Sequence, residues 1–338
     1  MKALVFTAPK RLEWQDWPDP ELEAGEALIR IKSVGVCGSD VHGWLGKSRG
    51  RVPPLILGHE MAGVVEEIRS NRSGLQRGAR VAVYPLTGCG KCRYCADGRD
   101  RLCRNRRIMG LHTPGGFAEF LKAPVETLFP LSEKLDWTGG AVVEPLANAL
   151  HFVEYAKADS GPLAILGAGA IGLLMLQAAR QMRVFPKIAV AETNPHRAAL
   201  ARTLGADLVL NPRQPEALAE LQSFFGEDGC HAVLDAAGFS ASRQLAVKLV
   251  ATGGLVGLAG MGEAETAFDC VELIRREIRL AGIYAYGREE FRRSIEWLAE
   301  GRINYQGWVA EAPLQEGQRI FELLTEPETS RAKVVLKP

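Results

Sequence analysis

The stretch LAILGAGAIG at residues 163–172 decides the fold of this chain. Its four apolar residues, Leu163–Leu166, predict a short buried strand, and the G-x-G-x-x-G pattern that follows predicts the start of a long helix. In such a pattern Gly167 permits a tight turn, Gly169 lets a phosphate approach the backbone, and Gly172 lets the helix pack closely on the sheet. This strand–turn–helix unit predicts a binding site for a dinucleotide pyrophosphate at the helix N-terminus.

The segments that follow this stretch alternate between apolar runs and helical patterns. The predicted strands after the first are Lys187–Ala191, Asp207–Leu210, Ala232–Asp235, Leu255–Leu258 and Arg279–Tyr284. The predicted helices between and after them are His196–Leu204, Pro215–Phe224, Ser242–Val250 and Glu289–Glu300. This alternation predicts a doubly wound parallel sheet covered by helices, whereas residues 1–90 are typical of short strands broken by glycine and proline. The predicted fold class is therefore α/β, with a β-rich N-terminal unit.

An acidic residue at the end of the second strand bears on the choice of dinucleotide. Glu192 follows Gly172 by 20 residues, where a carboxylate would accept hydrogen bonds from the ribose hydroxyls and repel a 2′-phosphate. This favours NAD over NADP, although Arg197 would hold such a phosphate if it is not a solvated helix residue or stacked on adenine. The predicted cofactor contacts are Gly167, Gly169, Ala170, Ile171, Gly172, Glu192 and Arg197.

Four of the seven cysteines lie in one short segment. They are Cys89, Cys92, Cys95 and Cys103, and Gly88, Gly90 and Gly98 let that segment fold back on itself. Four thiolates at this spacing suit a closed tetrahedral zinc site, which is structural because it leaves no position for a substrate. The alternatives to a zinc site are buried reduced cysteines or a disulfide. An iron–sulfur cluster is disfavoured, because the spacing of these four cysteines differs from that of bacterial iron–sulfur proteins.

A second set of metal-binding residue types lies near the N-terminus, in the segments CGSDVH and GHE. Cys37 and His59 would ligate a zinc that keeps one position for substrate, and Glu60 or Glu144 would complete the protein ligands. Asp40 would receive the second ring N–H of the ligating histidine and so orient it. The chain is thus predicted to hold two zinc ions, one catalytic and one structural.

These motifs, together with GGFAE at 115–119 and EPL at 144–146, carry a family resemblance. The chain resembles the zinc-containing medium-chain alcohol and polyol dehydrogenases over nearly its whole length. The resemblance implies a GroES-like catalytic domain of residues 1–145 and 286–338, a Rossmann NAD-binding domain of residues 146–285 inserted in it, and a homodimer or homotetramer. It also implies a catalytic zinc on Cys37, His59 and a glutamate.

The residue at position 144 separates branches of that family. Simple alcohol dehydrogenases have a cysteine where Glu144 stands, and the EPL segment looks like that of the sorbitol, threonine and sugar-alcohol-phosphate dehydrogenases. In these relatives Glu60 and Glu144 exchange direct and water-mediated contact with zinc, so both are predicted ligands.

A proton path is predicted beside the catalytic zinc. Ser39 stands two residues after a zinc ligand and would take the proton of the substrate hydroxyl. His42, expected near its ordinary pKa, would pass the proton to solvent. The alternative is a structural role, in which the Ser39 hydroxyl forms a hydrogen bond with the backbone of its own turn.

The loop after this segment supplies candidate substrate contacts. Trp44, Lys47 and Arg49 fall where the family lines its substrate cleft. With Arg51, the loop holds three cations in five residues, which would grip a phosphate or carboxylate if they are not simply solvated.

Composition excludes several classes of partner. Lys+Arg 41 against Asp+Glu 40 leaves no basic excess for nucleic acid or an anionic membrane surface. The uncharged stretch 160–179 is long enough to span a bilayer, but its glycines are explained by the nucleotide motif. We expect no membrane segment and a cytoplasmic location, because clustered cysteines without an export signal indicate a reducing compartment.

The prediction for function follows from the two zinc sites, the nucleotide motif and the family resemblance, which implies the class of substrate. We expect a zinc-dependent, NAD-linked dehydrogenase that oxidises a secondary hydroxyl of a polyol, sugar alcohol or sugar-alcohol phosphate to a ketone. One alternative is an L-threonine-type dehydrogenase of 2-amino-3-hydroxy acids. An alternative of another class is a non-catalytic NAD-binding relative.

Overall fold

The strand predicted at 163–166 lies inside a six-stranded parallel sheet in the computed structural model, which describes residues 1–48, 50–69, 74–326 and 329–338. The chain divides into two units. One consists of Met1–Glu144 and Gly287–Pro338, and the other of Pro145–Tyr286. The division falls inside one helix, Trp137–Ala156, directly before its internal proline.

The unit Pro145–Tyr286 has the doubly wound α/β architecture. Its strands are β11 (Leu163–Leu166), β12 (Ile188–Ala191), β13 (Leu208–Leu210), β14 (Cys230–Asp235), β15 (Val250–Leu258) and β16 (Arg279–Gly282). Its helices are α4 (Ala170–Met182), α5 (Pro195–Thr203), α6 (Ala217–Phe225), α7 (Ser240–Leu249) and α8 (Cys270–Arg275). The strand order is β13-β12-β11-β14-β15-β16, with every pair parallel. The sheet reverses its order between β11 and β14, where α/β proteins bind dinucleotides.

Local sequence explains these elements. All residues of β11 and β12 are buried, which is typical of central strands of a parallel sheet covered on both faces. Helix α5 begins at Pro195 because Asn194 caps it and its side chain accepts the backbone N–H groups of His196 and Arg197. The predicted fold class is confirmed.

The other unit is built from short, mostly antiparallel strands. Its strands are β1 (Lys2–Ala8), β2 (Arg11–Asp16), β3 (Glu26–Gly35), β4 (Leu55–Ile56), β5 (Glu60–Ile68), β6 (Arg80–Val83), β7 (Leu86–Thr87), β8 (Arg107–Ile108), β9 (Phe120–Pro124), β10 (Leu128–Pro130), β17 (Val309–Pro313) and β18 (Lys333–Lys337). Its helices are α1 (Gly38–Trp44), α2 (Arg93–Ala96), the first part of α3 (Trp137–Ala156), α9 (Arg288–Ala299) and α10 (Gly317–Leu324). Short 3₁₀ turns lie at Asp100–Leu102, Val125–Thr127, Lys157–Asp159 and Leu314–Glu316, the third of these in the other unit.

The C-terminal segment completes the sheet of this unit. Strand β18 pairs antiparallel with β3 and parallel with β17, so it lies between N-terminal and C-terminal strands. The order is β10-β6-β5-β3-β18-β17, with β9 also paired to β3. In the core, Phe321 of α10 makes edge contacts with Trp44 and Phe117. Among the described residues, no helix is long and apolar enough to cross a membrane.

Candidate metal centres and cofactor site

The four clustered cysteines meet at one point. The Sγ atoms of Cys89, Cys92, Cys95 and Cys103 all lie within 4.8 Å of one another. The Cys92 and Cys95 sulfurs are 3.6 Å apart, close to the separation of about 3.8 Å that tetrahedral zinc with Zn–S bonds of about 2.3 Å would impose. No fifth donor is needed, so this donor set fits a closed structural zinc site.

The lobe that carries these cysteines depends on glycine. Gly90 and Gly98 have positive φ angles of 73° and 69°, which L side chains adopt rarely. A Cβ on Gly88 would lie 2.5 Å from the Cys95 sulfur, so any side chain there would push into the four-cysteine group. The three glycines therefore let the lobe fold back as predicted.

A buried tyrosine anchors the lobe to the rest of its unit. The hydroxyl of Tyr84, which is fully buried, donates a hydrogen bond to Asp100 at 3.0 Å. Burial and the neighbouring Asp100 raise the pKa of Tyr84 far above its ordinary value, so the phenol remains a donor. Arg288 lies over the Tyr84 ring and 3.8 Å from Asp100. Helix α9, which begins at Arg288, thus contributes to holding the lobe.

A second group of donors is formed by Cys37, His59 and Glu60. One ligand atom from each lies within 4.8 Å of the others. Cys37 is the N-cap residue of α1, and His59 directly precedes Glu60, the first residue of β5. A thiol, an imidazole and a carboxylate form a donor set that fits zinc with one position left for a further ligand. Glu144 is buried in α3 and is not part of this group.

Asp40 faces the histidine of this group. Its Oδ1 lies 3.3 Å from His59 Nδ1, which leaves the other ring nitrogen for a metal. Burial raises the pKa of Asp40, but the charges of His59 and Arg51 outweigh burial and hold it at about 2. The carboxylate is therefore ionised, as an orienting residue must be, and the backbone N–H of Cys37 also donates to it at 3.3 Å.

Glu60 is held by a lysine from the far end of the sequence. Lys333 of β18 donates to Glu60 and, at 3.0 Å, to the carbonyl of Val36. Both charged side chains are almost fully buried. A Cβ on Gly35 would lie 1.9 Å from Glu60 Oε2, so the absence of a side chain at Gly35 makes room for the carboxylate.

Ser39 and His42 lie on the same helix as the N-cap cysteine. The Ser39 hydroxyl accepts a hydrogen bond from Arg51 Nη2 at 3.1 Å. Burial lowers the pKa of His42, and the charges of Lys47 and Arg51 lower it further. The pKa of His42 therefore lies below the ordinary value that the sequence predicts, which favours the neutral form of the ring.

The glycine motif has the geometry that nucleotide binding requires. Gly167 has a φ of 97°, and a Cβ on Gly172 would lie 1.8 Å from the Gly167 carbonyl oxygen. Only glycine allows that close approach of helix to turn. Helix α4 begins at Ala170 with Gly169 as its N-cap, so its first N–H groups are free to bind an anion.

Glu192 lies directly beside this turn. Its carboxylate accepts the backbone N–H groups of Ala168 and Asn194, each at 2.7 Å, and pairs with Arg197 at 2.9 Å. Burial raises the pKa of Glu192, but the hydrogen bonds from Arg197 and the two backbone groups outweigh it, so the net shift is downward. Glu192 is thus an ionised acceptor next to the predicted cofactor site.

The comparisons with known proteins agree with this geometry. The family patterns described as alcohol dehydrogenase GroES-like domain and zinc-binding dehydrogenase match residues 23–133 and 170–300. L-galactonate-5-dehydrogenase of Escherichia coli is 33% identical over 304 residues, covering 90% of this chain and 88% of that protein. The chain belongs to the zinc-containing medium-chain dehydrogenases. It is a dehydrogenase of the alcohol and polyol branch.

Two further relatives cover the whole chain. Sorbitol dehydrogenase of Bacillus subtilis is 29% identical over 100% of this chain and 97% of its own length. A crystal structure of a zinc-binding dehydrogenase from Sinorhizobium meliloti, solved with NADP, has a TM-score of 0.91 at 29% identity and covers 100% of this chain and 99% of its own. The dehydrogenase fold therefore extends over both units.

The predicted substrate contacts have mixed outcomes. Trp44 is 3% exposed and packs in the core against Phe321, so the expectation that it lines a substrate cleft is wrong. Lys47 is exposed, as a substrate contact must be. Arg49 lies outside the described residues. Arg51 is buried and paired with Asp40, which removes it from the predicted set of free cations.

Two residues of the site were not predicted as part of it. Lys333 begins the strand β18 and is followed by three apolar residues, and nothing in this local pattern indicates that it meets Glu60. The charged residues around Arg51 predict a loop cation. The one available signal was Gly43, a glycine inside a helical segment with no turn to explain it.

Proposed function

We propose that the dehydrogenase uses NAD to oxidise a secondary hydroxyl of a polyol, sugar alcohol or sugar-alcohol phosphate to a ketone. The observation that carries the proposal is the group Cys37, His59 and Glu60, in which Cys37 caps the helix that carries Ser39 and His42. The names of the two curated relatives, a galactonate and a sorbitol dehydrogenase, support a polyhydroxy substrate.

Each part of the site has a proposed role. Cys37 and His59 would hold the catalytic zinc, with Glu60 or Glu144 as the third protein ligand, and the four lobe cysteines would hold the structural zinc. When bound, zinc supplies a Lewis acid that lowers the pKa of an alcohol, and NAD supplies the hydride acceptor. The Ser39 hydroxyl accepts the proton of the substrate and donates its own onward. Neutral His42, half-buried on the same helix, carries the proton toward solvent.

The two units divide this work in the proposal. Residues 1–145 with 286–338 would form the catalytic domain, and residues 146–285 the NAD-binding domain. The ionised Glu192 beside the glycine turn supports NAD over NADP, because it would accept the ribose hydroxyls and repel a 2′-phosphate. Arg197 is engaged by Glu192, so it is not a free cation waiting for that phosphate.

We also propose that the chain works as a homodimer or homotetramer. The support is a set of exposed apolar side chains on the outer strand of the parallel sheet and on the helix that precedes it: Leu280 of β16 and Val271 and Ile274 of α8 are 37%, 55% and 74% exposed. Exposed apolar side chains and an open strand edge both favour pairing with a second copy. Light scattering on the purified protein would give the mass; a monomer at micromolar concentration would contradict the proposal.

A cytoplasmic location is part of the same proposal. All seven cysteines are free thiols, and four of them are arranged for a metal, which fits a reducing compartment. Fractionation of cells that express the protein would test it, and recovery outside the cytoplasm would contradict it.

The test of function is a substrate panel with the zinc-loaded protein. Sorbitol, a polyol phosphate, an aldonate, L-threonine and ethanol are each offered with NAD and with NADP, and formation of the reduced cofactor is followed by absorbance. The proposal predicts turnover of a polyhydroxy substrate with NAD, lost in Ser39→Ala. Turnover of threonine alone would favour the amino-acid alternative. Cofactor binding without any turnover would favour a non-catalytic relative.

A further inference from the structure

Arg51 is a buried cation beside the catalytic helix α1. Its side chain is 7% exposed, and its Nη2 atom donates to Ser39 Oγ at 3.1 Å and to Asp40 Oδ1 at 2.9 Å. The same Asp40 oxygen lies 3.3 Å from His59 Nδ1. One guanidinium nitrogen therefore touches both the proposed proton acceptor and the carboxylate that faces a zinc-binding histidine.

The path of the Arg51 side chain is cleared by a glycine. A Cβ on Gly43 would lie 2.2 Å from Arg51 Cδ and 3.1 Å from Nε. Gly43 is inside helix α1 and has no left-handed backbone angle, so the turn of the chain does not require glycine there. Glycine is disfavoured in helices relative to alanine. Glycine at position 43 therefore leaves the space that the Arg51 side chain occupies.

We propose that Arg51 is a positioning residue that holds Ser39 and the Asp40–His59 pair in the arrangement needed for catalysis. The inference rests on the proposed function of this site. A cation that recognised a substrate anion would present free N–H groups to solvent, whereas Arg51 is buried and its Nη2 is shared between two groups of the site. Residues that orient metal ligands and proton acceptors contribute through geometry, so their loss lowers turnover more than substrate binding.

The experiment compares Arg51→Met with Arg30→Met. Methionine keeps an apolar stem beside Gly43 and removes the guanidinium. Arg30 is a matched control, because it lies in the same unit and pairs with Glu66 at the surface. Three readouts are taken on the holoenzyme: kcat and KM, the rate at which a chelator removes the catalytic zinc, and the absorption spectrum with cobalt(II) in the catalytic site.

The proposal predicts a specific pattern in Arg51→Met. We expect kcat to fall about 10-fold to 100-fold with KM changed less than about threefold, zinc release to quicken about 10-fold, and the cobalt spectrum to shift. Arg30→Met should match the wild type in all three. A kcat within about twofold of wild type, with unchanged zinc release and cobalt spectrum, would overturn the proposal even if thermal stability fell.

Two additional variants cover the remaining cases. In a Ser39→Ala background, which removes turnover, Arg51→Met should still quicken zinc release and shift the cobalt spectrum, because Arg51 also contacts Asp40, which faces His59. Unchanged zinc release and an unchanged cobalt spectrum there would overturn the link to the Asp40–His59 pair. If Arg51→Met does not fold, Gly43→Ala displaces the Arg51 stem without removing its charge. It should show the same fall in kcat and the same spectral shift, and wild-type values would overturn the proposal.

The readouts also separate this inference from the proposed function. If the wild type oxidises none of the alcohols, the proposed function fails, while cobalt spectra and zinc release still report on the Asp40–His59 pair. If the wild type is active and Arg51→Met behaves like Arg30→Met, the inference about Arg51 fails alone.

Discussion

The buried ion pair between Lys333 and Glu60 gives a prediction whose size follows from its surroundings. Lys333 is 3% exposed and Glu60 is 1% exposed, and Lys333 Nζ also bonds the Val36 carbonyl. Lys333→Met keeps most of the apolar stem but leaves a buried carboxylate without its partner. Removal of one partner from a buried pair costs about 3–5 kcal/mol of the free energy of unfolding.

The same strand supplies the matched control. Lys337 is the last residue of β18, whereas Lys333 is the first. Lys337 pairs with Glu311 at 3.3 Å, and these side chains are 28% and 54% exposed. An exposed pair of this kind contributes about 0–1 kcal/mol, so Lys337→Met should change the free energy of unfolding little. Both variants remove one positive charge, which makes net charge equal between them.

The assay is urea unfolding of the holoenzyme followed by tryptophan fluorescence. All six tryptophans lie within Met1–Glu144 or Gly287–Pro338, so fluorescence reports on the unit that contains the pair. We expect Lys333→Met to lose about 3–5 kcal/mol, because the buried Glu60 carboxylate then has no lysine beside it. Equal losses in the two lysine variants would refute the reasoning.

Three further predictions concern the cofactor turn and the cysteine lobe. Glu192→Ala should weaken NAD binding about 10-fold to 100-fold in calorimetry, because charged hydrogen bonds of about 1.5–3 kcal/mol are lost. The same change should weaken NADP binding much less. Equal losses for the two cofactors would show that Glu192 does not hold the ribose. Gly88→Ala should lower the zinc content by one ion per chain, since its Cβ would lie 2.5 Å from the Cys95 sulfur; full zinc content would contradict that crowding. Tyr84→Phe should lower the free energy of unfolding by about 1–3 kcal/mol because buried Asp100 loses a donor, and an unchanged urea midpoint would count against it.

Local patterns in the sequence predict the nucleotide-binding half well. The strand Leu163–Leu166 is observed with the predicted bounds, and the helix after it begins within the glycine motif. An error occurs at residues 251–254, which lie between the predicted helix Ser242–Val250 and the predicted strand Leu255–Leu258 and include Gly253 and Gly254. Helix α7 ends at Leu249, and strand β15 begins at Val250 and runs through both glycines. The register of β14 against β15 shifts there. Whether such a segment forms a strand depends more on the strands that it pairs with than on its own residues.

The candidate metal sites show a similar limit. The cysteine lobe is predictable because its four donors lie within one short segment. The group Cys37, His59 and Glu60 is predictable because a cysteine, a histidine and a glutamate in two nearby segments are typical of a metal site. Lys333 meets Glu60 across 273 residues of sequence, and no local spacing encodes that contact. The position of Trp44 after the zinc-binding segment predicts a place in the substrate cleft, but hydrophobic burial places its ring in the core.

The central claim is that this dehydrogenase has two zinc sites with different roles. The most direct measurement is the zinc content and turnover of the wild type and of Cys37→Ser, with Cys230→Ser as a control outside both donor groups. We predict two zinc ions per chain in the wild type and in the control, and one in Cys37→Ser, which should be inactive while its cysteine lobe stays loaded. One zinc ion per chain that is unaffected by Cys37→Ser would contradict the claim.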